Sequence, residues 1–372
     1  MIDIWTFFIC CSVCISAVLT GLVIPQVLKV AFKKRLFDNP DFRKIHKGVV
    51  PRLGGFSYFP SLLCSFLLIA GCLIIYYPDF FAQRSFTADL GQILVMFASV
   101  SILFLIGLKD DMVEVKYYGK FTAQGLAAFL TVLSGACIYN LWGLFGVNGL
   151  SLIVAALLTF ILILGIINAM NLIDGIDGLA SGIGIISLLM YGILFLSSGN
   201  FLMSLLAWSL AASVGVFFFF NFFGTDKNKK KIFMGDVGSL TMGMVIAFLA
   251  VEMTTVNPVD ILGFNPLVVA LSPLIIPILD SCRVFIYRIS QKRSPFLPDK
   301  SHIHHKLISF GLSPHQTLFF LLSFQIVLII VNVWLSAILN INIILGIDIA
   351  AYLCVVFLCP FCFKFPQKRI AK

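Results

Sequence analysis

Asn168-Ala-Met-Asn-Leu-Ile-Asp-Gly-Ile-Asp-Gly-Leu179 follows a long apolar run from Leu150 to Ile167. Polar groups recur at every third position, at Asn168, Asn171, Asp174 and Asp177. On a helix each such step turns the side chain by about 300°, so the four trace a slow spiral that converges on one side. A face of this kind can hold a cation or a polar ligand. The stretch also reads as a turn, because Asn, Asp and Gly are common turn formers. A plain turn, however, does not need amides and carboxylates in register with glycines that permit close approach.

The rest of the chain sets this stretch in a membrane. Its 372 residues are 60% hydrophobic and 12% charged, with a mean hydropathy of +1.05, far outside the soluble range. A helix needs about 20 apolar residues to cross the hydrocarbon core. Apolar runs near 4–31, 56–77, 91–108, 122–141, 151–168, 180–197, 201–223, 239–252, 264–289, 317–338 and 343–363 predict an all-α polytopic membrane protein of about eleven transmembrane helices, forming a single catalytic domain over 1–372. Met1-Ile-Asp-Ile-Trp5 lacks a basic n-region and argues against a signal peptide. Basic residues crowd the odd-numbered loops, and Arg84 is the one basic residue in the even-numbered ones. That alternation places the N-terminus outside and the C-terminus in the cytosol. The net charge of +9 is then explained by topology and anionic lipid, not by nucleic acid. The pairs Cys11/Cys14 and Cys359/Cys362 lie at opposite membrane faces and read as small apolar residues, not as one zinc site.

The polar content of the odd-numbered loops is distinctive. The first, about 32–55, is basic and ends in Pro51-Arg52-Leu-Gly-Gly55, which suits a phosphorylated lipid. The third, about 109–121, opens with Lys109-Asp110-Asp111 and closes with Lys116-Tyr-Tyr-Gly-Lys120; adjacent carboxylates call for a cation, a lysine or a shared proton. The fifth is the stretch 168–179. The seventh, about 224–239, carries a lysine run, Lys227-Asn-Lys-Lys-Lys231, that reads as a solvated patch. Phe233-Met-Gly-Asp236-Val-Gly-Ser239 follows, offering a carboxylate to a metal and an aromatic face to a base. The ninth span contains Pro266, Pro273 and Pro277, which predict a bend or break, with Asp280 and Arg283 near its inner end. After it, in about 290–316, come Arg293-Ser-Pro-Phe and His302-Ile-His304-His305, fitting phosphate recognition or proton handling better than a zinc site, and Leu307, Ile308 and Leu312 predict a short surface helix. Acids, lysines and histidines gathered on one face describe a surface active site better than a conduction path. A transporter more often carries charge near mid-bilayer, where Asp348 is the main candidate.

These motifs, in this order, resemble the polyprenyl-phosphate N-acetylhexosamine-1-phosphate transferase superfamily, glycosyltransferase family 4, from the first loop to about residue 316. The His-Ile-His-His form resembles the bacterial undecaprenyl-phosphate N-acetylglucosamine-1-phosphate transferases, which begin O-antigen, enterobacterial common antigen or teichoic acid synthesis. The alternative branch is the phospho-N-acetylmuramoyl-pentapeptide transferases of peptidoglycan synthesis, and the alternative of another class is a nucleotide-sugar transporter.

The resemblance implies attack of a lipid phosphate oxygen on the β-phosphorus of a UDP-sugar, releasing UMP, at the cytosolic face of the bacterial inner membrane. It implies Mg²⁺, with Mn²⁺ as a substitute, held by Asp236 and Asn171, and places Asp110, Asp111 and Asp236 in the catalytic centre. Phe233 stacks on uracil and Asp177 hydrogen-bonds it. Asp174, Arg293, His302, His304 and His305 join the nucleotide-sugar site, while Lys120 and Arg52 meet the lipid phosphate. Asn168 and Asp174 also shape the turn. The partners implied are UDP-sugar, undecaprenyl phosphate and the bilayer, and the outward faces of the spans are compatible with a homodimer.

Overall fold

The computed structural model describes residues 2–34, 36, 50–81, 84–225, 228–294 and 301–362. Its helices, in chain order, are α1 (Ile2–Lys34), α2 (Tyr58–Tyr76), α3 (Pro78–Phe81), α4 (Arg84–Val113), α5 (Tyr117–Leu133), α6 (Leu152–Ile173), α7 (Leu179–Ser197), α8 (Phe201–Phe223), α9 (Gly235–Met253), α10 (Pro266–Leu271), α11 (Ile275–Ser290), α12 (Ile303–Ser309), α13 (Pro314–Ser336) and α14 (Ile341–Cys362). Among the described residues, nine spans are long and apolar enough to cross a membrane. The predicted fourth and eleventh spans are occupied by shorter helices, α5 of 17 residues and the apolar stretch Ile341–Phe357 of α14.

α9 is the axis of the bundle. Its window is 94% buried, against 28% for the peripheral α1 and α13. The sequence explains why it tolerates that position: Gly235, Gly238, Ser239 and Gly243 keep its surface low at the end that carries Asp236, and neighbouring backbones close in. Polar side chains hold other helix pairs where lipid offers no hydrophobic gain. Ser12, Ser16 and Thr20, one turn apart on α1, meet Ser209 and Ser213 on α8 with Oγ–Oγ separations of 2.5 Å for Ser12–Ser209 and Ser16–Ser213 and 3.0 Å for Thr20–Ser213. Each interhelical bond of this type contributes about 0.6 kcal/mol, and the small residues allow the contact that forms them. Asp348, the acid expected near mid-bilayer, is buried and accepts from Asn332 Nδ2 at 3.0 Å, joining α14 to α13.

The ninth span is broken as its prolines predict: α10, a 3₁₀ turn at Ser272–Leu274, then α11. Carbonyls near the break find partners on other helices. Tyr191 Oη of α7 donates to Ala270 O at 2.6 Å, Ser187 Oγ to Pro273 O at 3.1 Å, and Gln325 Nε2 of α13 to Ser272 O at 2.7 Å. Irregular backbone survives at membrane depth only under such enclosure.

Three expectations need correction. The fourth span does not run to residue 141: α5 stops at Leu133, Gly135 takes φ +91°, and an antiparallel hairpin, β1 (Asn140–Leu144) with β2 (Val147–Gly149), follows. Hydropathy alone cannot separate an apolar strand from the end of an apolar helix. Second, the acids and amides expected in loops sit on helices. Asp110 and Asp111 occupy the last turn of α4, Lys120 the first of α5, and Asn168 and Asn171 the last two of α6. Third, the helix after the histidines is α12, which begins at Ile303, so it carries His304 and His305 itself. Cys359 and Cys362, residues 37–49, Lys227 and the 295–300 segment lie outside the described side chains.

The serine contact gives a stability test. Ser209→Ile overfills the α1–α8 seam and should cost about 1–3 kcal/mol, read as a lower melting temperature in detergent, whereas Ser209→Ala should cost less than half of that.

Candidate active site

The site lies at the end of the bundle where α4, α5, α6 and α9 meet. α9 starts at Gly235 and its N-cap, Met234, offers no side-chain acceptor. Asp111 supplies it from α4: Oδ1 accepts from Asp236 N at 2.9 Å and Oδ2 from Val237 N at 3.1 Å. A carboxylate there also suits the positive end of the helix. Gly235 is required, since its φ is +69° and a Cβ would strike Arg52 O and the Asp111 carboxylate.

The segment before α9 is braced by Pro51–Gly55. Phe233 N donates to Pro51 O at 2.8 Å, Gly54 N to Phe233 O at 2.9 Å and Gly55 N to Met234 O at 2.8 Å. The predicted Pro-Arg-Leu-Gly-Gly segment thus shapes the Phe-Met-Gly-Asp segment through backbone pairing. Arg52 lies within electrostatic reach of Asp111.

Asp236 is then delivered to Asp110 and Asp111, with ligand atoms of all three within 4.8 Å of one another. Lys120 answers the charge: its Nζ is 2.6 Å from Asp110 Oδ2 and pairs directly with Asp236 Oδ2. Asp110 Oδ1 accepts from Val115 N at 2.6 Å. From α6, Asn171 Nδ2 donates to Asp236 Oδ1 at 3.1 Å and to Ser239 Oγ at 2.7 Å. Three carboxylates and an amide make an all-oxygen set of the sort hard divalent cations take. Asp110 and Asp236 fit such an ion best, because Asp111 is committed to the helix end. Asn171 would join through its Oδ1 once the amide turned over.

The turn after α6 is built by partners the sequence reading passed over. Asn221 Oδ1 of α8 accepts from Gly178 N at 2.7 Å, and its Nδ2 donates to Ile232 O at 2.9 Å, clamping 175–178 against the segment that leads to Phe233. Asn168 Nδ2 donates to Gln124 Oε1 of α5 at 2.8 Å, so it braces helices and does not enter the acid cluster. Burial, with the Asp177 and Asp236 carboxylates nearby, pushes Asp174 up to about 7. Asp177 pairs with Lys231 at 2.8 Å, and Lys231 Nζ stands 5.8 Å over the Phe233 ring. Lys231 is therefore not part of a solvated patch. Its signal was its position, two residues before Phe233.

The histidines approach the same turn from the other side. His304, 1% exposed, packs its ring where a Cβ on Gly175 would be, and neither ring nitrogen has a hydrogen-bond partner among the described residues. Burial, then His305 beside it, pushes His304 down to about 3, so the ring is neutral at working pH. The His302 and His304 rings are parallel within 6° at 5.9 Å, and His305 lies 4.3 Å from His304. Arg293 is exposed beyond α11, its described contact being the backbone bond from its N to Arg288 O at 2.9 Å.

A family model of glycosyl transferase family 4 matches residues 93–254, the run from α4 to the end of α9. The chain is 31% identical over 339 residues to a probable undecaprenyl-phosphate N-acetylglucosaminyl 1-phosphate transferase of Bacillus subtilis (strain 168), covering 87% of this chain and 86% of that protein. It is 32% identical over 304 residues to an undecaprenyl-phosphate alpha-N-acetylglucosaminyl 1-phosphate transferase of Pasteurella multocida (strain Pm70), covering 79% and 77%, and 28% identical over 290 residues to the protein of that name from Yersinia pestis, covering 77% and 73%. A membrane bundle whose matched core carries the acids, the amide and the lysine of one site, and whose likeness to these proteins extends over most of its length, belongs to glycosyl transferase family 4.

Proposed function

We propose that the protein transfers N-acetylglucosamine 1-phosphate from UDP-N-acetylglucosamine to undecaprenyl phosphate, releasing UMP, at the cytosolic face of the bacterial inner membrane. The observation that carries the reading is the Asp110–Lys120–Asp236–Asn171 cluster at the mouth of a membrane bundle. The relatives' names supply the substrates. Lys109, Lys116, Lys120, Lys229, Lys230 and Lys231 border the site end, which supports its cytosolic orientation.

In the reaction a lipid phosphate oxygen forms a bond to the β-phosphorus as the bond from that phosphorus to the bridging oxygen breaks, and UMP leaves with that oxygen. Mg²⁺ bound by Asp236, Asp110 and the Asn171 amide oxygen would neutralise the diphosphate and polarise its P–O bonds. Lys120, held between two carboxylates, is placed to turn its ammonium to an incoming phosphate. As Lys120 turns to the acceptor phosphate, Asp110 loses one partner and would be free to hold the ion. That phosphate is ionised near neutrality, so little general-base work is needed. Asp111 keeps α9 in place throughout. Phe233 offers its face to uracil and Asp177 its carboxylate, after Lys231 releases that carboxylate.

Asp236→Asn should lower the kcat of UMP release by roughly 10²–10³-fold, as expected when several kcal/mol of charge stabilisation is lost, and flatten the Mg²⁺ dependence; near-normal turnover removes Asp236 from the ion site. Lys231→Ala should raise KM for UDP-N-acetylglucosamine by about tenfold with kcat little changed, because the ammonium that leaves Asp177 for a substrate phosphate is lost, and binding lost equally in ground and transition states acts on KM. Offering UDP-N-acetylglucosamine and the muramoyl-pentapeptide nucleotide in parallel settles the branch, and preference for the second overturns the sugar assignment.

A further inference from the structure

Asp280, on α11, lies outside residues 93–254 matched by the family. Its side chain is 1% exposed. Oδ2 bonds His302 Nδ1 at 2.7 Å. Oδ1 accepts from Ile303 N at 3.0 Å, Arg283 Nη2 at 2.8 Å and Tyr352 Oη at 2.7 Å. Arg283 also donates from Nη2 to Ser301 O at 2.5 Å and from Nε to Tyr352 Oη at 2.8 Å. A buried carboxylate survives only when its lone pairs are taken up in this way. The oxygens are occupied by the protein itself, so Asp280 is not a substrate ligand.

The network holds a residue beside the site: the His302 ring lies 5.9 Å from that of His304, which packs on Gly175. A carboxylate accepting from Nδ1 fixes both the tautomer and the plane of the imidazole and leaves Nε2 as the nitrogen that can meet a ligand. The same carboxylate accepts the first amide of α12, which carries His304 onto Gly175. Tyr352 brings in α14, the last of the described helices.

We propose that Asp280, braced by Arg283 and by Tyr352, is the positioning residue that holds His302 with Nδ1–H turned inward and Nε2 presented to the phosphates of the nucleotide sugar. This rests on the transfer reaction proposed above.

The test has a catalytic arm and a spectroscopic arm. In the full-length enzyme, Asp280→Asn should lower kcat for UMP release by about 100-fold with KM for UDP-N-acetylglucosamine within about twofold, the pattern of a misoriented imidazole. The chain has 5 histidines, so ¹⁵N-histidine spectra of the unliganded protein can be assigned by single substitutions. Wild type should show one strongly hydrogen-bonded Nδ1–H that vanishes in His302→Gln and shifts in Asp280→Asn. Tyr352→Phe leaves the Asp280–Arg283 ion pair intact and covers the case in which Asp280→Asn does not fold; it should shift the same resonance and lower kcat by at least about threefold. An unshifted resonance in a folded variant, or unchanged kcat in both variants, overturns the proposal. Absence of UMP release by wild type would count against the transfer reaction alone and leave the spectroscopic arm in force.

Discussion

The two hydrogen bonds from the first amides of α9 to Asp111 are the constraint on which the site depends. A helix end leaves amide groups without partners, and burying them uncapped costs about 1–3 kcal/mol each. α9 runs through the middle of the bundle, so water cannot serve that end freely and its own N-cap, Met234, is apolar. α4 fills the need with one of two adjacent carboxylates. Once Asp111 is anchored there, Asp110 is carried alongside and Asp236 begins the helix it caps. Three acids within 4.8 Å follow from one capping requirement, and Lys120, paired with Asp110 and Asp236, offsets their charge.

The same logic runs through the glycines beside it. Gly54 and Gly55 let the segment after Arg52 hydrogen-bond directly to the backbone of Phe233 and Met234, and Gly235 admits Asp111 to the helix end. Backbone pairing fixes a loop more tightly than side-chain contacts do, because fewer torsions remain free. The aromatic ring and the carboxylate of the Phe-Met-Gly-Asp segment are thereby held at a set distance from each other, although Phe233 lies in irregular backbone before the helix that carries Asp236.

Much of this was legible in the chain. The period-three spacing of Asn168 and Asn171 does place one of them, Asn171, at the cluster, and Pro266, Pro273 and Pro277 do break the ninth span. Other features were hidden for physical reasons. Hydropathy marks where polar residues begin, and it put Asp110, Lys120 and Asn171 in loops; helices α4, α5 and α6 continue past that point because the polar side chains find one another. Cys137 to Leu144 is apolar enough to pass for the end of a helix, yet Ser134-Gly135 ends α5 before it. Asp280 and Asn221 are ordinary polar residues in apolar runs, and their partners, Tyr352 and Ile232 among them, are brought together only by the fold.

Charge finally assigns the histidines and lysines different work. The His304 ring is kept neutral by burial, with its pKa near 3, so it cannot serve as a counter-ion for phosphate. It can still donate or accept one hydrogen bond at each ring nitrogen, and both are without partners among the described residues. Positive charge must therefore come from elsewhere, and two lysines each hold an acid at the site: Lys120 on Asp110 and Asp236, Lys231 on Asp177. A lysine paired with a carboxylate is neutralised and positioned at once. In the proposed reaction, entering phosphates would draw each ammonium from its carboxylate and free the carboxylates for ion binding and base recognition. Asp174 is pushed up to about 7 by burial and by the Asp177 and Asp236 carboxylates. In the proposed reaction these internal ion pairs hold the charges that the substrates would replace.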